Sequence, residues 1–459
     1  MAGIGFELRR LLQKETLGAK MQAFAFSAII GSGPWILSII AILVIGMLNT
    51  SRESPSAMVG EFQISITYLM AFSLILSSLL QLVFTRFVAD RLFEKRDTVI
   101  LGNVMGALLL TFVVSGVVGT LVATLWLEGS LLYRLCMVAG FVILCGVWIA
   151  VIFASAIKAY RRILMVFLIG YGVTVGAAYG LRGFGLEGLL VGFVIGQATL
   201  LFTLLALVVR EYPGEQLISF EFLRREQIYL SLVWTGLFYN VGVWVDKFIF
   251  WANPVTGMNV LGPLRAAPAY DLSMFLSYLS LIPGMAVFLI RMETDFAEKC
   301  ERFYATIKSG GTLAQIHEAR NELVDSLYGG MLTVMKVQGA VTLILFIASR
   351  DILAWLGISL VDPAMLNIHL VGVGLQLLFL SILNVFYYLD QRRAAFNVCL
   401  VFMVANGLLS WATLHLGRAF YGYGFAIAVL LTCVVGIAIL AHKLDTLEYE
   451  TFMLQPANA

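Results

Sequence analysis

Charged residues are scarce in this sequence. Of its 459 residues only 13% are charged, whereas 60% are hydrophobic, and the formal net charge is +2. A water-soluble domain carries about 25% charged and about 45–50% apolar residues, because its surface needs polar groups that this chain lacks. The composition therefore predicts a protein whose solvent is lipid, and the near-balanced charge gives no sign of a nucleic-acid partner.

Patterned cysteines and histidines are missing as well. The five cysteines form no C-x-x-C pair and no Cys/His cluster; they are Cys136, Cys145, Cys300, Cys399 and Cys433. We expect small core residues rather than a disulfide framework or a zinc site. There is no G-x-x-x-x-G-K-[ST] loop and no H-E-x-x-H, and the four histidines are scattered. We therefore expect no catalytic residue, metal site or cofactor, and interpret the chain as a non-enzyme.

Long apolar runs dominate what is present. About 20 apolar residues cross a bilayer as a helix. This rule predicts twelve spans, near 22–48, 62–84, 99–126, 131–157, 163–180, 185–209, 228–251, 269–290, 331–349, 366–389, 394–415 and 422–442. The sequence thus predicts an all-α polytopic membrane protein.

The distribution of lysine and arginine gives an orientation to these spans. With the N-terminus inside, 22 of the 30 lysines and arginines lie on inside segments, 5 in outside loops and 3 within spans. Cytoplasmic loops collect positive charge, so both termini are predicted to be cytoplasmic. The expected location is the bacterial inner membrane.

The spacing of the spans predicts two six-helix bundles, a 6+6 plan of the kind found in transporters with repeated halves. The bundles are 22–209 and 228–443, joined by a cytoplasmic connector at 210–227. An amphipathic segment precedes them at 1–21, a cytoplasmic tail follows at 444–459, and the second bundle contains a cytoplasmic helical loop at 291–330. That loop reads as two short helices around the Ser309–Gly310–Gly311 break.

Helix-breaking residues within the spans are candidates for a hinge. Pro34 lies near the middle of the first span beside Gly31 and Gly33, and Pro283 lies in the eighth span. A proline removes a backbone hydrogen bond and collides with the preceding turn, so we expect a bend at each point. Such interruptions line the substrate cavity in many transporters, and a static packing kink is the alternative.

Polar residues within the spans are candidates for a substrate path. The seventh span and the start of the eighth supply Tyr239, Asn240, Trp244, Asp246, Lys247 and Asp271, and the tenth span supplies Gln376 and Asn384. Because consecutive helical residues point about 100° apart, we expect Asp246 and Lys247 to meet different partners, with Asp271 as a neighbour of Lys247. Amides suit hydroxyl groups and flat rings suit sugar faces. Interfacial snorkelling and packing are the alternatives.

Two stretches of sequence carry a resemblance to a known family. The opening MAGIGFELRRLLQKE with the first-span GSGPWILSI, and the residues NVGVWVDKF at 240–248, resemble the Pel exopolysaccharide transporter family. The resemblance implies the multidrug/oligosaccharidyl-lipid/polysaccharide flippase superfamily and export of a polymer rich in galactosamine and N-acetylgalactosamine for biofilm matrix. It also implies three partners: a cytoplasmic glycosyltransferase, a membrane receptor for cyclic di-GMP and a tetratricopeptide-repeat membrane protein.

Two other functions remain compatible with the sequence. A cation-coupled exporter of small molecules, of the multidrug type, would need a deeply buried carboxylate, and the first six spans contain no Asp or Glu near mid-membrane. A scaffold that anchors a cytoplasmic synthase without transport is the other. The appearance of polymer outside the membrane separates these readings.

Overall fold

The computed structural model describes residues 27, 41, 44, 45, 56–156, 160–212, 214, 216–224 and 228–453. The chain is helical over most of this length. The first helices are α1 (Ser56–Phe93), α2 (Ile100–Leu125), α3 (Leu131–Ala156), α4 (Tyr160–Leu181), α5 (Gly185–Glu211) and α6 (Leu230–Ala252). A short antiparallel hairpin follows, with β1 (Met258–Leu261) paired to β2 (Leu264–Ala266).

The remaining helices begin directly after the hairpin. They are α7 (Pro268–Leu279), α8 (Leu281–Ile290), a π-helical turn (Arg291–Phe296), α9 (Ala297–Lys308), α10 (Leu313–Trp355), α11 (Pro363–Tyr388), α12 (Arg392–Leu416), α13 (Tyr423–Asp445) and α14 (Leu447–Met453). The hairpin is the one departure from the all-helical prediction among the described residues, and it lies in a predicted outside loop.

The predicted spans coincide with these helices from the second span onward. In the described part of the chain, nine helical stretches are long and apolar enough to cross a membrane; one of them, Arg162–Glu211, contains both the fifth and the sixth predicted spans. The seventh predicted span is α6, whose polar residues lower its hydropathy. The first predicted span lies almost wholly outside the described residues. The count of twelve and the orientation of the termini stay predictions.

The segment 291–330 was predicted to form two short loop helices, and the structure differs from this prediction in the length of the helices. The break is where it was expected, because Gly310 has φ +73° and α10 begins after a capping box formed by Thr312 and Gln315. However, α10 continues without interruption for 43 residues into the ninth predicted span. On the other side, α8 runs through the π-helical turn into α9. Local polarity alone does not end a helix, and α10 continues even through Gly329 and Gly330. Both helices therefore extend beyond the predicted span limits.

The chain divides into two compact units. Of the described residues between 41 and 453, those up to Pro268 form the first unit and those from Ala269 onward form the second. In the first unit α6 packs against α1, where a Cβ on Gly236 would lie 2.4 Å from the carbonyl oxygen of Ser78. Only a residue without a side chain permits this approach. The predicted division at 210–227 stays a prediction.

The described part of the connector is attached to α2 rather than extended in solvent. The amide of Ser219 donates to the carbonyl of Gly102 at 2.8 Å, and the amide of Phe222 donates to Oδ1 of Asn103 at 3.3 Å. Phe222 is fully buried, with its ring edge-on to Phe84 at 5.1 Å. Burial of one aromatic ring thus fixes the chain just before α6.

The C-terminal helix α14 is attached to the second unit by Glu450. Its carboxylate accepts hydrogen bonds from Lys443 and Thr446 on one oxygen and from Gln391 on the other, at 2.8 Å. Burial acts to raise the pKa of Glu450, but the hydrogen bonds from Lys443 and Gln391 outweigh it and hold the pKa below its usual value.

Candidate functional site

Asp246 and Lys247 form an ion pair in α6, contrary to the prediction that they meet different partners. Nζ of Lys247 lies 3.2 Å and 3.3 Å from the two carboxylate oxygens of Asp246. The four-carbon lysine stem spans the angular step between neighbouring residues, which the prediction from helix geometry overlooked. Nζ also donates to the carbonyl of Val243 at 2.9 Å. Both charged side chains are buried, so neither snorkels to the interface.

Trp244 belongs to the same group of side chains. Nζ of Lys247 lies 5.7 Å from the centroid of the indole ring, within the range of a cation–π contact. Toward the start of α6, the half-buried Asn240 donates to the carbonyl of Gly236 at 3.0 Å, and Tyr239 beside it is half-buried. The structure therefore brings three of the predicted residues of this span together and leaves Asn240 bonded within its own helix.

An aromatic cluster extends this group, formed by Tyr68, Phe72, Trp244, Phe248 and Trp251. Tyr68 stacks on Trp251 at 4.8 Å with 17° between the rings, and Phe72 stacks on Phe248 at 5.4 Å with 14°. The spacing of four and three residues along α6 could have revealed one side of the cluster. Its α1 side could not be found without the fold.

The hairpin holds one end of the aromatic cluster. The hydroxyl of Tyr68 accepts from the amide of Arg265 at 3.1 Å and donates to the carbonyl of Arg265 at 3.0 Å. The Arg265 guanidinium in turn donates to the carbonyls of Ala252 and Gly257, both at 2.9 Å. These bonds tie β2 to the end of α6 and so fix the ring of Tyr68.

A second polar group lies in the second unit, on α11. Asn384 is buried, and its Nδ2 donates to Oε1 of Glu293 at 2.7 Å. Tyr388, one turn further, donates its hydroxyl to Oε2 of Glu293 at 2.8 Å. Ser381 bonds to the carbonyl of Leu377 in its own helix. Sequence analysis missed Glu293 because it placed this residue in the cytoplasmic loop.

Two buried glutamines add unpaired oxygens to the second unit. Within the described residues, Oε1 of Gln376 on α11 and Oε1 of Gln338 on α10 have no hydrogen-bond partner. Gly284 of α8 lies directly against Gln338, since a Cβ there would be 2.3 Å from that oxygen. The sequence identified Gln376, whereas Gln338 is hidden among the apolar residues of the ninth span.

The other predicted residues are distributed along the chain. Asp271 is half-buried in the first turn of α7, and its proximity to Lys247 stays a prediction. Pro283 is exposed in α8, and the eighth predicted span is interrupted at Ser280, between α7 and α8. The missing N–H of a proline accounts for such an interruption one turn earlier. Gly31, Gly33 and Pro34 lie outside the described residues.

These groups are of the kind that contacts polar molecules reversibly. Neutral amides and phenol hydroxyls bind hydroxyl groups, and stacked rings present flat apolar faces. Among the described residues no group of three or more His, Cys, Asp or Glu side chains could hold a metal ion.

Comparison with solved structures identifies the fold. An outward-facing multidrug resistance MATE family transporter of the MOP superfamily has 13% identity and a TM-score of 0.63, over 93% of this chain and 96% of its own. An inward-facing MATE family transporter has 13% identity and a TM-score of 0.63, over 92% of this chain and 99% of its own. A MOP superfamily transporter from Pyrococcus furiosus has 12% identity and a TM-score of 0.59, over 93% of this chain and 96% of its own.

Comparison with protein families identifies the family to which this chain belongs. No curated protein sequence matches the chain. Residues 1–452 match the family described as "PelG: Putative exopolysaccharide Exporter (EPS-E)". This match confirms the resemblance drawn from the N-terminal and seventh-span residues, and it covers nearly the whole chain. The chain therefore belongs to the PelG family of exopolysaccharide exporters and is a multi-pass transporter of the inner membrane with a MATE-like fold.

Proposed function

We propose that this chain carries a nascent polysaccharide of the Pel type, rich in galactosamine and N-acetylgalactosamine, from the cytoplasm to the periplasm. We also propose that it acts by transport alone, without catalysing a reaction. The observation that carries the proposal is the family match over residues 1–452. The buried amides and stacked aromatic rings support it, because a sugar ring offers hydroxyl groups at its rim and apolar C–H groups on its faces.

The α6 group is the proposed contact for sugar rings. Trp244 is half-buried, so part of its indole ring remains accessible, while Lys247 and Phe248 hold it from two sides. Holding a ring in advance reduces the conformational entropy lost on contact with a ligand. The Asp246–Lys247 pair fixes the orientation of these side chains. Tyr239, Asn240 and Asp271 remain proposed members of the path.

The proposed partners are those that the family resemblance implies: a cytoplasmic glycosyltransferase, a cyclic di-GMP receptor and a tetratricopeptide-repeat membrane protein. We propose that the glycosyltransferase contacts α9 and the first half of α10. The two helices are tied by Glu322, whose Oε2 accepts from Lys299 at 2.8 Å and from Arg302 at 2.6 Å. Leu313 and Tyr328 are exposed on the same stretch of α10.

The test measures polymer that appears outside the membrane, with the protein level of each variant matched in the membrane. We expect Trp244→Ala to reduce export at least about fivefold, since an aromatic contact contributes about 1 kcal/mol beyond area burial. Trp234→Ala is the matched control, because Trp234 lies on the same helix, is exposed and is outside the aromatic cluster. Its export should remain unchanged.

The same assay separates the alternatives. In inverted vesicles that carry the synthase on their outer face, polymer should enter the lumen only when this chain is present. Polymer in the lumen is protected from a glycosidase added outside. If the chain instead expels small cationic dyes and leaves polymer unprotected, the multidrug reading is correct. If polymer is made only with the chain present but stays on the synthase side, the chain is a scaffold. Equal export by Trp244→Ala and Trp234→Ala would refute the role of the α6 group.

A further inference from the structure

Glu293 is a buried carboxylate held by neutral groups. Its side chain lies in the π-helical turn between α8 and α9, and the residue is only 3% exposed. One carboxylate oxygen accepts from the amide of Asn384 and the other from the hydroxyl of Tyr388, at 2.7 Å and 2.8 Å. π-Helical turns are rare and occur frequently at functional sites.

No positive side chain compensates this carboxylate among the described residues. The basic side chains nearest to it along the chain are engaged elsewhere: Arg291 with Asp295 at 2.7 Å, and Lys299 with Glu322 at 2.8 Å. A buried charge without an opposite charge costs several kcal/mol even after relaxation. Two neutral hydrogen bonds offset only part of that cost.

A second oxygen without a partner lies beside the carboxylate. Asn384 is 7% exposed, and its Oδ1 has no hydrogen-bond partner within the part of the chain that the structure describes. Nδ2 of the same amide donates to Glu293, and Oδ1 is bonded to the same carbon as Nδ2, so Oδ1 lies within a few ångströms of the carboxylate. Carboxylate and amide oxygens are ligands that hard cations prefer. The carboxylate of Glu293 and Oδ1 of Asn384 are therefore both suited to bind a cation.

We propose that Glu293 and Asn384 form a binding site for one monovalent cation, coordinated by carboxylate and amide oxygens next to the π-helical turn. The cation has two possible sources: an inorganic ion such as Na⁺, or the ammonium group of an amino sugar. Binding of an inorganic ion goes beyond the proposed function and is independent of it. Binding of an amino sugar rests on the proposed function and deepens it, because it defines a chemical feature of the substrate.

The test uses the purified full chain in lipid nanodiscs and measures the midpoint of thermal unfolding, Tm. One arm compares NaCl with choline chloride at equal ionic strength, and the other compares galactosamine hydrochloride with neutral N-acetylgalactosamine. A ligand that binds only the folded state raises Tm. We expect a rise of at least about 2 °C with one of the two cations and none with choline or the acetylated sugar.

Three variants connect that rise to the site. Glu293→Gln should abolish it while leaving Tm in choline unchanged or higher, since the uncompensated charge is removed. Glu318→Gln is the matched control, because Glu318 is exposed on α10, and it should keep the full rise. Asn384→Asp adds a second carboxylate and should lower the half-saturating cation concentration at least about tenfold. This gain would also carry the proposal if Glu293→Gln failed to fold.

The site is refuted if neither cation raises Tm in the natural chain, or if the natural chain and Glu293→Gln respond equally. A lack of tighter binding in Asn384→Asp would refute the role of the amide. Stabilisation by Na⁺ alongside failure of polymer export in vesicles would leave the site standing and reject the proposed function. The two proposals can therefore fail separately.

Discussion

The Asp246–Lys247 pair of α6 provides a quantitative test of how this protein holds charge within the bilayer. Nζ and Oδ1 are 3.2 Å apart, and the residues are 0% and 6% exposed. At an effective dielectric constant of about 20, that separation corresponds to an attraction of about 5 kcal/mol. Removal of one partner leaves the other charge buried. We expect Lys247→Ala and Asp246→Asn each to lower the free energy of unfolding by about 3–5 kcal/mol.

The double variant Asp246→Asn with Lys247→Ala should lose less than the two single losses added together, because both charges of the pair are removed. The measurement is equilibrium unfolding in mixed detergent micelles, followed by helical circular dichroism, as a double-mutant cycle. Lys336→Ala serves as the control, since Lys336 is exposed, and its effect should stay within about 0.5 kcal/mol. Additive losses in the cycle would refute the pairing.

Three further predictions test other parts of the fold. Phe222→Ala should cost about 3–5 kcal/mol and Phe220→Ala much less in the same unfolding assay, because only the first ring is fully buried. Gly284→Ala should cost about 1–3 kcal/mol, since the added methyl meets Oε1 of Gln338 and Cδ2 of Leu377. If the contact with Gln338 dominates, Gly284→Ala should cost less in a Gln338→Ala background than in the natural chain. The lowered pKa of Glu450 stabilises α14 above the unfolded-state value of about 4.3 and loses this effect as pH falls through the folded value. Hydrogen exchange in Leu447–Met453 should therefore accelerate in acid, and Glu450→Gln should remove that pH dependence.

The sequence was sufficient to predict the helices because a bilayer requires about 20 apolar residues in a row. That signal is local, and it located spans such as α11 and α13 within a few residues. Helix ends beyond the bilayer were poorly predicted. Residues 313–330 carry many polar side chains, yet they join the ninth span in one helix that continues through Gly329 and Gly330, with no proline or cap at the junction.

The candidate site could be predicted only in part from the sequence, because its side-chain contacts join elements that lie far apart in the sequence. Asn384 could be identified as a polar residue within a span, but Glu293, its partner, is 91 residues away. Likewise, Trp244 could be identified on α6, whereas Tyr68 reaches the aromatic cluster from α1. The Asp246–Lys247 contact was wrongly predicted for another reason: helix geometry fixes the direction of Cα–Cβ bonds, not the position of a long, flexible side chain.

The described part of the chain contains two buried carboxylates whose surroundings differ. Asp246 has a lysine bonded to it on the same helix, so its charge is balanced by the chain itself. Within the described residues Glu293 is bonded to an amide and a phenol hydroxyl, and in our proposal its charge is balanced by a cation that enters and leaves. A permanently paired charge holds a structure in place, whereas an exchangeable one lets occupancy alter stability. Neutralisation should therefore have different effects at the two positions: Asp246→Asn should destabilise the protein, and Glu293→Gln should leave it as stable or more stable in choline chloride.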